Sequence, residues 1–218
     1  HKLRVFNIYV PCNVDTDPMY GDDLKAAIAR LKDTGVVIWL TVQGSAEDDT
    51  KAVKAVSEIA DLAAASNLNV ALYPHAGFFV ADIEDALRVV RKVDRRNVGV
   101  TFNLCHELQA GNEARFDRLL EEAAPYLFVV SINGADHEGG WDKLIQPLGK
   151  GSFDLIRLLR KLFDVGYEGP ISMQKYQVPG DTLANLEHNM KQWKSIVAQL
   201  AEKSADSKRF KFNSTARP

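Results

Sequence analysis

The sequence predicts an α/β fold of parallel strands and helices, curled into a barrel of the (β/α)8 type. Three observations predict it. Short apolar runs alternate with amphipathic stretches of about 10–20 residues, the rhythm of βαβ units with right-handed crossovers. Within the runs, one parity is apolar and the other is small or polar, which suits a barrel wall better than a sheet covered by helices on both faces. Several runs end on an uncharged polar residue: Tyr73 in VALYPH, Asn103 in VGVTFN, Ser131 in FVVS and Gln174 in ISMQ. Strand ends are where such a barrel carries its chemistry.

In chain order, strands are expected at Leu3–Val10, Val36–Val42, Asn69–Tyr73, Val98–Leu104, Leu127–Ile132 and Pro170–Gln174. Helices are expected between and after them, at Asp22–Asp33, Asp48–Ser66, Ile83–Val93, Glu113–Ala123, Phe153–Asp164 and Thr182–Ala201. Ser152 and Asp181 stand where an N-cap would satisfy exposed helix N–H groups, and Gly166 stands where a helix ends. In the last helix Leu183, Leu186, Met190, Trp193, Ile196, Val197 and Leu200 recur at i, i+3, i+4 spacing, which predicts a buried stripe. Residues 1–203 read as one barrel domain, and 204–218 lose periodicity and read as a flexible tail.

Parity decides barrel over open sheet. Val98, Val100, Phe102 and Leu104 share one face, with Gly99, Thr101 and Asn103 on the other; Ile38, Leu40 and Val42 oppose Trp39, Thr41 and Gln43 in the same way. About six units are visible where a closed barrel needs eight. An open barrel exposes unpaired edges, so a longer parent lacking its first two units here is expected. The start at HKLRVF, without an initiator Met, agrees with that expectation.

At 218 residues with a net charge of -2, the chain suits one well-buried core and carries no basic excess to attract nucleic acid or an anionic membrane. No apolar run reaches the ~20 residues of a membrane span, and the cytoplasm is the default location. Cys12 and Cys105 form neither a disulfide framework nor a metal pair and read as buried thiols. Assembly into a homo-oligomer stays open.

The segments NVGVTFNLCH, LFVVSINGAD, PLGKGSFD and GYEGPISMQKY, followed by GDTLANLEHNMKQW, resemble the xylose-isomerase-like TIM barrels over roughly Leu3 to Leu200. That superfamily holds sugar isomerases, sugar-phosphate isomerase/epimerases and endonuclease-IV-type enzymes. The resemblance implies a divalent metal held by Glu, Asp, His and Glu on four strand ends. Here the matching positions are Tyr73, Asn103, Ser131 and Gln174, and all four depart from the pattern. Hard cations bind chiefly through carboxylates, so no cofactor is expected.

His106, three residues after Asn103 as in the family's D-x-x-H segment, and His75 are candidate acid/base groups. For His106 an orienting hydrogen bond is an equal alternative. Asp136 is a candidate base if it points inward and a loop cap if it points outward. A soft metal site of His75, His106 and His137 lacks supporting spacing. Trp39, Gln43, Tyr73, Asn103, Ser131, Asn133, Gln174 and Tyr176 are expected to line a sugar pocket, with Trp141 as a further stacking surface. The turn Leu148–Ser152 offers backbone N–H groups to a phosphate, or is simply a tight turn.

The resulting expectation is a sugar, keto-sugar or sugar-phosphate isomerase/epimerase acting by proton transfer without metal. The alternative is a non-catalytic carbohydrate-binding barrel or silent subunit. DNA repair of the endonuclease IV type ranks last, because metal ligands and a basic groove are both missing from the sequence.

Overall fold

A computed structural model describes residues 3–45 and 47–202; the expected tail at 204–218 lies outside them. In chain order the elements are β1 (Asn7–Asn13), α1 (Asp22–Arg30), β2 (Val37–Gln43), α2 (Thr50–Ala65), β3 (Asn69–Leu72), α3 (Ile83–Val93) and β4 (Val98–Asn103). There follow α4 (Leu104–Gln109), α5 (Phe116–Ala123), β5 (Leu127–Ile132), α6 (Trp141–Leu144), α7 (Leu155–Asp164), β6 (Ile171–Met173) and α8 (Thr182–Glu202).

The six strands form one parallel sheet in sequence order, β1 to β6, curled as part of a TIM-type barrel. Register follows the expected parity. Tyr9, Trp39, Ala71 and Gly99 lie side by side on one face, and Asn103, Ser131 and Ser172 lie side by side nearer the strand ends, two same-face positions on along β4. The opposite parity is apolar and buried: Ile38, Leu40, Val42, Val70, Leu72, Val98, Val100 and Phe102 belong to the core with Ile59 of α2 and Leu87 of α3. Each such side chain contributes about 1.5–3 kcal/mol by burial. A register shift between β4 and β5 at Val100/Thr101 brings Phe128 over Gly99, where a Cβ would lie 2.5 Å from the ring. Only glycine leaves that space.

Several expected boundaries move. β1 starts four residues later than the apolar run, and Leu3, Val5 and Phe6 are exposed. Hydrophobicity alone extended the strand beyond its pairing with β2. Ser152 does not cap α7; Asp154 does, accepting from Arg157 N at 2.9 Å, so the helix begins at Leu155. Asp181 does accept from Ala184 N at the start of α8.

The expected buried stripe on α8 is only half realised. Ile196 and Leu200 are buried, whereas Leu183, Leu186 and Met190 are 62%, 51% and 48% exposed. The sheet ends at β6, so among the described residues no further strand covers the helix's first half.

Candidate active site

The short β3 delivers Tyr73 and then the loop His75–Val80. That loop is a tight turn: Phe78 N donates to His75 O and His75 N to Val80 O, both at 3.0 Å. Gly77, at φ +83°, holds the third position of a type II turn, which a residue with a Cβ adopts at a cost. Beside it, β4 runs directly into α4, a helix the sequence reading missed. Leu104 opens α4 immediately after Asn103, which carries His106 back over the strand ends.

The two histidines meet. Their ring centroids are 4.4 Å apart, Phe78 stacks on His75 at 4.1 Å, and Trp141 of α6 meets His106 edge-on at 5.2 Å. His106 is buried, and burial, aided by neighbouring His75, pushes its pKa down to about 3. It is therefore a neutral imidazole at physiological pH. Ala76 N donates to His106 Nδ1 at 3.0 Å, and His75 Nδ1 lies 3.0 Å from Ala76 O.

Around them lies an aromatic and amide wall. Tyr73 is buried against Trp39 (4.8 Å), Tyr9 (5.3 Å) and His106 (6.1 Å). Burial raises its phenol pKa, so it remains a neutral hydroxyl. Gln174 Nε2 donates to Tyr73 Oη at 3.0 Å, while Gln174 Oε1 accepts from Lys175 N and Tyr176 N. Asn103 Nδ2 donates to Pro74 O, and its Oδ1 accepts from Cys105 Sγ. Ser131 is buried beside Asn103 in the register.

Asn133 Nδ2 donates to Gly134 O and Leu144 O, leaving Oδ1 buried with no protein partner. Trp39 Nε1 and Thr101 Oγ1 are likewise buried and unpartnered; Thr41 Oγ1 has only a weak approach to the Tyr9 phenol. A buried unmatched donor or acceptor costs about 1–3 kcal/mol. Trp39 and Thr101 lie on the inward parity of β2 and β4, and Asn133 follows the end of β5.

Other candidates sit elsewhere. The Asp136 carboxylate is committed to its own loop, accepting from Ser152 N (2.9 Å), Ser152 Oγ (3.0 Å) and Gln146 Nε2 (3.1 Å), bonds that hold its pKa low. The outward alternative is the one realised. Tyr176 is 59% exposed on the rim. Gln43 lines a cavity of about 430 Å³ at the ends of β1 and β2, together with Asn13, Tyr20 and Asp23. None of Tyr73, His75, Asn103 or His106 lines that cavity, so volume and chemistry separate here.

The Leu148–Ser152 turn is glycine-rich for packing. A Cβ on Gly151 would fall 2.0 Å from Ala135 O, and one on Gly134 2.1 Å from Pro147 O. Asp154 places a carboxylate at the following helix N-terminus, where an anion would be repelled.

Glu107 lies outside the candidate residues that the sequence pattern singles out. Its carboxyl is buried between α3 and α4, accepting from Ile83 N at 2.7 Å and Asn112 Nδ2 at 2.8 Å. Burial pushes its pKa up to about 8. A charged residue immediately after a site histidine was the available signal.

The set does not suit a divalent metal. Tyr73, Asn103, Ser131 and Gln174 bring no carboxylate, and the oxygens of both amides already accept from the chain itself. His137 is exposed and paired with Glu113 at 2.8 Å, away from the other two imidazoles. Among the described residues no three His, Cys, Asp or Glu side chains converge as a metal site.

A model of the xylose isomerase-like TIM barrel family matches residues 20–196. The uncharacterized protein MJ1311 of Methanocaldococcus jannaschii is 30% identical over 95 residues, which are 44% of this chain and 31% of that protein. The chain thus matches less than a third of that curated relative's length. Among solved structures, the IOLI protein, which binds a zinc atom, superposes with a TM-score of 0.71 at 18% identity, over 91% of this chain and 77% of its own. A D-tagatose 3-epimerase-like protein gives 0.71 at 19% identity, over 90% and 79%. An L-ribulose 3-epimerase gives 0.65 at 17% identity, over 96% and 80%. At these identities the likeness is one of fold. Among the described residues no helix is long and apolar enough to cross a membrane.

Proposed function

Because this chain belongs to the xylose isomerase-like TIM barrel family, we propose that it is a sugar, keto-sugar or sugar-phosphate isomerase/epimerase that moves a proton without a divalent metal. The observation that carries this reading is the pair of facing imidazoles, His75 and His106, set in a wall of neutral hydroxyls and amides with buried unmatched donors and acceptors. Sugars present hydroxyls in matching abundance, and Trp39 and Trp141 offer faces for a ring's C–H groups. The solved epimerases of similar fold agree with the substrate class.

Chemically, removing a proton beside a carbonyl needs a base and a donor to the developing oxyanion. The imidazoles, the Tyr73–Gln174 phenol–amide pair and neighbouring Asn103 supply such groups. Asp136 takes no part in this scheme, because its oxygens are held by Ser152 and Gln146. The second reading, a carbohydrate-binding barrel without catalysis, is favoured by one feature: both amides in the acid positions are hydrogen-bonded to the chain as structural groups.

The experiment is a thermal-shift panel of sugars, keto-sugars and sugar phosphates, with and without chelator, followed by proton exchange in D2O on any stabilising compound. Stabilisation with deuterium incorporation supports the enzyme, and stabilisation without it supports the binding module. A panel with no stabilising member defeats both.

A further inference from the structure

The two peptide groups that flank the Ala76 Cα each touch one imidazole, and they do so with opposite polarity. A backbone N–H can only donate, so the 3.0 Å contact from Ala76 N makes His106 Nδ1 an acceptor. A backbone carbonyl can only accept, so the 3.0 Å contact to Ala76 O makes His75 Nδ1 a donor. In the neutral rings, His106 then carries its proton on Nε2, and His75 carries a lone pair there. Both Nε2 atoms are the ring nitrogens turned away from Ala76, and the rings stand 4.4 Å apart.

We propose that the backbone of Ala76, through its N–H and its C=O, sorts the two histidines into complementary tautomers, so that His75 Nε2 is the proton acceptor and His106 Nε2–H the hydrogen-bond donor to a carbonyl oxygen. This deepens the sugar reading and rests on it. The substrate class it selects is the open-chain α-hydroxycarbonyl compound. His75 Nε2 takes the C–H proton beside the carbonyl, and the electron pair of that bond becomes the C=C of an enediolate whose oxyanion faces His106 Nε2–H. The hydroxyl proton passes between the two enediolate oxygens. His75 returns its proton to the neighbouring carbon as the new C=O forms. Nothing is oxidised overall, and no co-reactant is consumed.

His106 suits the donor role for a second reason. Gaining a proton would place it on Nδ1, against the Ala76 N–H, and would charge a buried ring. It therefore donates without acting as a base. Separate base and donor groups explain the need for two adjacent imidazoles better than two interchangeable bases do.

The device has a sequence origin in HAGFF. Gly77 at φ +83° permits the type II turn, which directs the Ala76 carbonyl to the side of His75; a type I turn would direct it to the other side. A Cβ on Gly77 would meet nothing within 4 Å. Gly77→Ala therefore changes backbone preference without a clash and touches neither ring.

The test is nitrogen-15 NMR of the histidine rings in the intact protein near neutral pH. Nδ1–H at His75 with Nε2–H at His106 is expected, and the same tautomer in both rings overturns the proposal whatever the substrate. Gly77→Ala should convert His75 to a tautomer mixture and leave His106 unchanged, with Gly77→Asn restoring the sorted state because Asn tolerates positive φ. An unchanged His75 in Gly77→Ala overturns the role of the turn.

For the chemistry, L-erythrulose, a ketose too short to form a stable ring, is compared with erythritol, its polyol counterpart. Erythrulose should shift the His106 Nε2–H signal, and erythritol should not; equal shifts overturn the carbonyl role. His75→Gln should lower α-proton exchange of erythrulose in D2O by at least ~100-fold, while its KM stays within about threefold. His106→Gln should raise KM as well as lower kcat. Sorted tautomers with neither probe perturbing either ring would leave the tautomers standing and defeat the sugar reading beneath them.

Discussion

Gln174 Nε2 donates to Tyr73 Oη at 3.0 Å, joining the exit of β6 to the exit of β3 across the barrel mouth. Two backbone N–H groups fix the amide's orientation, so the bond has one sense only. A glutamate at 174 would lose that donor and instead accept from the same backbone groups. The neutral amide is thus hydrogen-bonded at both its nitrogen and its oxygen.

A double-mutant cycle measures that bond. Tyr73→Phe and Gln174→Leu should each lower stability by about 1–2 kcal/mol, and together by about 0.5–1.5 kcal/mol less than the sum. Strict additivity in urea unfolding would mean that the contact carries no energy.

The proposed metal independence is tested by chelation. Extensive chelation should leave the melting temperature and any proton-exchange rate unchanged. Asn103→Asp with Gln174→Glu should create a Mn²⁺-dependent rise in melting temperature, since carboxylates are the ligands hard cations require. Stoichiometric Mn, Co or Zn in the natural protein would contradict this account of the strand ends.

Glu107 sets a pH dependence of stability. Its pKa is raised from 4.5 to about 8 in the fold, so the native state binds more protons than the unfolded chain within that window. Its contribution is full below about pH 4.5 and is lost as pH rises through 8. His106, lowered from 6.5 to about 3, acts oppositely, with stability rising from pH 3 to 6.5. Between pH 6.5 and 8 the Glu107 loss remains, joined by that of exposed His137, whose pKa the Glu113 carboxylate raises above 6.5. The melting temperature should fall across that interval in the natural protein and less so in Glu107→Gln.

The two halves of α8 should respond differently to truncation. Leu183→Ser, Leu186→Ser and Met190→Ser should each change stability by less than about 0.5 kcal/mol, because those side chains are half exposed or more. Ile196→Ala and Leu200→Ala should cost about 2–4 kcal/mol. Equal costs along the helix in chemical denaturation would restore the continuous stripe.

The alternation of six strands with helices, the inward face of Trp39, Thr101, Asn103 and Ser131, the cap at Asp181, and the neutral residues at the strand ends are all legible in the sequence. Each of these follows from periodicity or chemistry confined to a few neighbouring residues. Strand bounds were less legible: the run from Leu3 is apolar, but β1 exists only where β2 pairs with it.

What tertiary structure alone decided are the relationships between residues far apart in sequence. Ala76 meets His106 30 residues away, and Gln174 meets Tyr73 101 residues away. Asp136 turns to Ser152, and Gln43 lines a separate cavity. Local patterns fix which face a side chain occupies. Which atoms meet on that face depends on register, loop path and the short α4 that folds His106 back, and these are settled only when the strands are assembled side by side.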